Sequence, residues 1–187
     1  MIFVRDDDVL LPSRQWPDPL VRFKDVHELI LQYPFVLHVP TLLTGELDKF
    51  PEAIEYLKIE TDAGRMRPQY HGTWHIDYAN LTPDQILEDY QKGQEWFRTH
   101  LGYEFTHHYT PWGSGFEGSK RGPHIRPTAA SIGVTLVDCS ALIEPEHILT
   151  DTSFTREKYE EQEIFIHFWA GTGKLERALT KLKPEER

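Results

Sequence analysis

Cysteine is almost missing from this chain: Cys139 is the single one among 187 residues. An intrachain disulfide is therefore impossible, zinc ribbons and CxxC redox pairs are excluded, and any bound metal must be held by His, Asp or Glu. Basic residues are also in deficit. Twenty Lys and Arg stand against 30 Asp and Glu, a net charge of −10, which repels phosphate backbones and anionic membranes and argues against nucleic acid as a partner. No apolar run approaches the roughly 18 residues of a membrane span. The opening MIFVRDDD has neither the basic start nor the apolar stretch of a secretory signal. These absences lead to the expectation of a cytoplasmic chain without membrane insertion. The length suits one domain, 1–187, large enough to bury a core.

What is present is an alternation of short apolar runs with helix-like segments, the pattern of βα units and a parallel sheet or barrel. Ile2-Phe3-Val4 reads as a first strand. In DPLVRFKDVHELILQY the residues Leu20, Val21, Phe23, Val26, Leu29 and Ile30 recur at helical spacing until Pro34 stops them. FVLHVPTLL reads as a buried strand, FPEAIEYLKI as a helix, and MRPQYHGTWH as a short extended piece running into a loop. TPDQILEDYQKGQEWFRTHLG is a helix with Thr82 as N-cap, Pro83 at its first position and Gly102 at its end. YEFTHHYTP, VTLVDCSAL and EIFIHFW follow as strands, and TGKLERALTKLK closes the chain as a helix. In such folds the chemistry gathers beyond the carboxyl ends of the strands.

The reactive residue types stand at those ends. Asp6, Asp7 and Asp8 follow the first strand, HGTWH the third and YTPWGSG the fourth, while Asp138 ends VTLVD and His167 ends EIFIH. Adjacent carboxylates repel by about 1 kcal/mol per pair at roughly 4 Å even in water, so the Asp run invites a cation. His71 and His75 are four apart, a spacing that lets both imidazoles face one way on a helical turn and hold one zinc-like ion. Position 72 is Gly, so the Glu of HExxH is missing and that protease mechanism is excluded. A carboxylate from elsewhere must complete the set, and the Asp run supplies it. YTPWGSGFEGS is glycine-rich but lacks GK[ST], which sets a phosphate loop aside. His107 and His108 point to opposite faces of their strand, so one of them can turn toward the site as a competing ligand or acid.

RDDDV, HGTWH, YTPWG, LVD and FIH, in this order from residue 5 to residue 167, resemble the motifs of the polysaccharide deacetylases, the NodB-homology family of carbohydrate esterases. The resemblance implies an α/β fold, a (β/α)7-like distorted barrel. It implies one divalent metal ion, zinc by preference with cobalt or nickel tolerated. The activity implied is hydrolysis of an N- or O-acetyl group on an acetylated sugar, an intermediate of surface-glycan biosynthesis. Matched position by position, Asp8, His71 and His75 become the metal ligands and Asp7 the general base. His167, oriented by Asp138, becomes the acid that protonates the leaving group, and the backbone N–H of Trp112 joins the oxyanion hole. Tyr109, Pro111 and Trp74 are the expected substrate contacts.

The Asp run has a rival register in which Asp7 is the ligand. In the first register Asp6 is left to solvent or to a nearby Arg, and alternation puts Asp6 and Asp8 on one side of the strand and Asp7 on the other unless the turn brings it back. Tyr109 stands where the family has an Arg beside the base, and Arg5 can supply that guanidinium. Two other functions fit the residues. One is a non-catalytic carbohydrate-binding or scaffold protein that keeps the barrel and the metal. The other is a metal-dependent phosphoesterase, which would recruit His107 or His108. Trp16, Trp74, Trp112 and Trp169 are core residues or, at the rim, sugar-stacking surfaces.

Overall fold

The computed structural model describes residues 1–9, 19–115, 119–137, 143–167 and 172–184; Trp16, Asp138 and Trp169 lie outside them. Six strands form one parallel sheet: β1 (Ile2–Val9), β2 (Val36–Leu43), β3 (Gln69–Gly72), β4 (His107–His108), β5 (Thr135–Leu136) and β6 (Glu163–His167), ordered β5-β4-β3-β2-β1-β6. Ile143 adds a parallel bridge to Ile164 of β6. Helices fill the connections: α1 (Pro19–Leu31), α2 (Thr44–Leu47), α3 (Pro51–Asp62), α4 (Pro83–Leu101), α5 (Ile125–Ala130), α6 (Pro145–Thr150) and α7 (Thr172–Lys181).

The sheet is curled. Tyr109, one residue beyond β4, donates its hydroxyl to Glu163 of β6 at 2.5 Å. Those strands are four steps apart in the order, which would be about 19 Å in a flat sheet at ~4.8 Å per step. The expected (β/α)7-like distorted barrel takes this form, and among the described residues its edges β5 and β6 are not hydrogen-bonded to each other.

Strand alternation sorts the side chains by parity. Even-numbered residues face the helices. Val9 aside, the strand members of the two apolar clusters are even: Leu42, Tyr70 and Leu136 pack with Phe23, Tyr90 and Phe97, and Ile2, Val4, Ile164 and Ile166 pack with Val26, Ile30 and Leu175. Odd-numbered residues such as Arg5, Asp7, Thr41, Tyr109 and Glu163 meet one another inside the curl. Burial on the outer face, at about 25 cal/mol per Å² of apolar area, supplies the hydrophobic stabilisation. The inner face carries the Arg5–Asp7 pair and Glu163.

The local expectations hold for the long elements and change for the short ones. YEFTHHYTP contracts to β4, because the Gln69 side-chain oxygen accepts the N–H groups of Thr106 (3.2 Å) and His107 (3.0 Å) where a ladder bond would run. The four- to six-residue helices α2, α5 and α6 are additions. HGTWH is not a helical turn: β3 ends at Gly72, whose φ is 134°, so His71 stands on the strand and His75 in the loop beyond it.

Candidate metal centre and active site

The three carboxylates leave β1 in three directions. The register with β2 shifts between Asp6 and Val9, and Asp8 takes the left-handed conformation at φ 58°, so strict alternation ends there. Asp6 faces outward, is fully buried, and has His38 Nε2 3.6 Å from its carboxylate. Of the two expectations for Asp6, solvent or a nearby Arg, burial corrects the first: even parity turns it under the helices. Asp7 faces inward beside Arg5, which donates from Nε to Asp7 Oδ1 at 2.7 Å and from a terminal nitrogen to Oδ2. Thr41 donates to the same Oδ1 at 2.8 Å. Asp8, freed from Asp6's side by its left-handed backbone, meets the two histidines.

His71 Nε2 lies 2.9 Å and His75 Nε2 3.0 Å from Asp8 Oδ1, and one ligand atom from each of the three residues falls within 4.8 Å of the others. Tetrahedral ligands about 2.0–2.1 Å from a zinc-like ion stand ~3.3 Å from one another, close to these separations. His71 Nδ1 bonds the Tyr109 carbonyl at 2.5 Å. A carbonyl only accepts, so Nδ1 carries the proton and the Nε2 lone pair is turned toward Asp8 and His75, the arrangement of a metal-ligating imidazole. One carboxylate oxygen and two imidazoles fit a divalent ion.

In the metal-free triad a proton on each Nε2 takes the place of the ion, and His71 and His75 face Asp8 as donors. Burial alone would raise the Asp8 carboxyl, but the hydrogen bonds and charges of His71 and His75 outweigh it and hold the group well below the usual range. Asp7 behaves similarly: burial opposes ionisation, Arg5 overrules it by charge and hydrogen bond, and the net shift is downward. The Asp8 hydrogen bond raises His75. His167, 3.7 Å from Asp8 Oδ2, is lowered, burial outweighing the two nearby aspartates.

Arg5, Asp7, Asp8, His71, His75 and His167 open on one cavity of about 310 Å³, with Trp112, Gly113, Thr110 and Phe165 completing its wall. Trp112 has left-handed φ (59°), is 63% exposed, and sets its ring 4.9 Å from that of His75. The three expected substrate contacts are placed differently and none lines this cavity. Tyr109 is buried beneath Arg5, Pro111 is buried in its turn, and Trp74 leans over Gly45 of α2, where an added Cβ would come within 2.8 Å of its ring. His108 is buried on the outer face against the Tyr90 hydroxyl (2.7 Å), and His107 bonds Thr106 (2.8 Å); neither joins the triad. Thr41, Phe165 and Glu163 were missed by motif reading. The signal that finds them is parity, since each falls on the same strand face as Asp7 or His167.

No protein-family model matches the sequence, and no curated protein matches it either. Solved structures do. A family 4 carbohydrate esterase pseudoenzyme from Bacillus anthracis superposes with a TM-score of 0.66 at 14% identity, over 97% of this chain and 60% of its own. A family 4 carbohydrate esterase from Streptomyces lividans, in complex with acetate, gives 0.62 at 15% over 97% and 84%. A family 4 acetyl xylan esterase from Clostridium thermocellum, in complex with a cobalt ion, gives 0.61 at 14% over 96% and 81%. This chain thus spans less than two thirds of the length of the Bacillus anthracis protein. At such identities the likeness is one of fold, and the curled parallel sheet with its surrounding helices is the fold of the family 4 carbohydrate esterases.

Proposed function

We propose that this protein is a metal-dependent hydrolase that removes an acetyl group from an acetylated sugar. The observation that carries the proposal is the meeting of Asp8, His71 and His75 with an ionised, Arg5-held Asp7 at one end of a carbohydrate-esterase sheet. A divalent ion at the triad, zinc in this reading, supplies Lewis-acid polarisation and acidifies water. Asp7 accepts the proton of the attacking water; its oxygens keep lone pairs beyond those taken by Arg5 and Thr41. His167 protonates the departing amine or alcohol, and burial makes its imidazolium the stronger acid. The backbone N–H of Trp112, held in a strained turn between Pro111 and Gly113, is the proposed donor to the developing oxyanion. Asp138 remains the proposed orienting partner of His167. The acetate and cobalt of the Streptomyces lividans and Clostridium thermocellum structures are of the chemical kinds this reading requires.

The test separates ligand from base. Asp8→Asn, His71→Ala and His75→Ala should each lose zinc on dialysis, measured by elemental analysis. Asp7→Asn should keep it and release acetate from acetylated sugars about 10²–10⁴-fold more slowly, the usual worth of a positioned base. Loss of metal from Asp7→Asn with retention in Asp8→Asn would move the register by one residue. Absence of acetate release by zinc-loaded wild type across N- and O-acetylated sugars would overturn the proposal.

A further inference from the structure

The guanidinium beside the proposed base has its own buried support. Arg5 is 2% exposed and its Cζ lies 4.3 Å from the centroid of the Tyr109 ring and 5.2 Å from that of Phe165. Tyr109, also 2% exposed, is fixed at both ends. Its hydroxyl donates to Glu163 Oε1 at 2.5 Å, and its backbone carbonyl accepts from His71 Nδ1 at 2.5 Å. Glu163 in turn borders a second cavity of about 240 Å³ on the opposite side of this stack from the triad, together with Gln69, His107 and Arg67. A column therefore runs through the curl from Glu163 to Tyr109, Arg5 and Asp7, with a branch from Tyr109 to His71.

We propose that Tyr109 and Glu163 are positioning residues: the Tyr109 ring carries the Arg5 guanidinium, Glu163 locks the ring, and the Tyr109 backbone carbonyl orients His71, so that one buried residue supports the base through its side chain and a metal ligand through its backbone. Its catalytic consequence rests on the deacetylase reading above. The aromatic face attracts the cation without competing for the Asp7 oxygens, whereas a second carboxylate in its place would draw Arg5 away. Burial, and then the charge of Glu163, push the Tyr109 hydroxyl upward, so it stays a donor throughout the working range. Substrate contact by Tyr109, expected from its motif position, is replaced by this supporting role.

The test uses the whole zinc-loaded protein and two independent readouts. The first is hydrogen exchange of the Arg5 Nε–H, identified by its disappearance in Arg5→Lys; the second is kcat and KM for p-nitrophenyl acetate. Tyr109→Leu should speed the exchange at least about tenfold and lower kcat roughly 10- to 100-fold, the scale of a misplacement remote from the reacting atoms, with KM and zinc content little changed. Tyr109→Phe keeps the ring and loses the lock, and Glu163→Gln keeps a weaker lock, so both should fall between Leu and wild type. If Tyr109→Leu does not fold, as read by circular dichroism, those two variants decide. Wild-type exchange and kcat in the folded variants would overturn the proposal. Faster exchange in the variants with no acetate release by wild type would uphold the support and defeat the deacetylase reading.

Discussion

Position 72 shows how much one residue decides at this site. Gly72 adopts φ 134°, and a Cβ there would stand 2.9 Å from the Trp74 carbonyl oxygen and 3.1 Å from the Tyr78 hydroxyl. The backbone turn it permits is what carries the chain from His71 on the strand to His75 in the loop. Gly72→Ala should therefore cost about 1–3 kcal/mol in stability from backbone strain. It should also weaken zinc binding about 10- to 100-fold, the usual effect of disturbing a ligand's support. Urea denaturation and competition with a chelator measure the two; unchanged affinity would mean that His75 reaches the triad without this turn. The sequence made the histidine pair legible, yet glycine registered there only as the missing Glu of HExxH. Its conformation is a property of the loop that follows, which no spacing encodes. The Asp run was legible in the same partial way. Three charges pointed to a cation, but the separation of Asp6, Asp7 and Asp8 depends on a bulge and one left-handed residue.

Among elements, α4 was the most legible because its signals are local. Thr82 and Gln85 form the reciprocal capping box, Pro83 opens the helix, and Gly102 closes it in the left-handed conformation at φ 82°. Thr82→Ala should cost about 1 kcal/mol in urea denaturation. Gly93, inside the same helix, sets two effects against each other. Replacing it by Ala gains about 1 kcal/mol of helix propensity, but the new Cβ would lie 2.5 Å from the Tyr70 ring. That ring cannot easily yield. It stacks on Phe105 at 4.3 Å and its hydroxyl bonds the Asp89 carboxylate at 2.6 Å. Overpacking of this kind costs about 1–3 kcal/mol, so Gly93→Ala should be no more stable than wild type and less stable by up to ~2 kcal/mol. A clear gain in the urea midpoint would show that α4 can shift away from β3. Strands β4 and β5 were poorly legible for the opposite reason: each is two residues long and takes its extent from neighbours, including the Gln69 side chain.

Across the whole molecule, charge is buried on both faces of the sheet. Behind the candidate site a file of polar groups crosses the outer layer from Asp6 to His38 (3.6 Å), His27 (3.0 Å), Glu60 (3.0 Å) and Arg65 (2.5 Å). It ties β1 and β2 to α1 and α3. This file was invisible in the sequence, where His27 and His38 sat inside an ordinary helix and an ordinary strand; only the register that brings Val4 beside His38 assembles it. Its consequence is a pH dependence of stability. Burial holds His38 well below, and His27 below, the usual histidine value, with the neighbouring imidazole adding to the effect at His38. A base whose pKa is lowered on folding binds fewer protons folded than unfolded, so stability is complete above about 6.5 and falls as pH drops beneath it, by at most about 1.4 kcal/mol per pH unit for each proton. Buried His108 acts in the same direction. Glu60 is lowered to about 2, chiefly by its hydrogen bond from Arg65, and adds a later loss only below its ordinary value of 4.5. Between pH 7 and 5 the histidines therefore govern the curve. We expect wild type, with a chelator present so that metal release plays no part, to lose stability steadily over that range in urea denaturation. His38→Gln should be less stable at pH 7, because His27 loses its partner, yet its slope between pH 6.5 and 5 should be shallower by about one proton. Equal slopes in the two proteins would show that the buried pair does not sense acid, and would leave His108, His107 and His167, each lowered by burial, as the source, with His75, raised by Asp8, acting the other way.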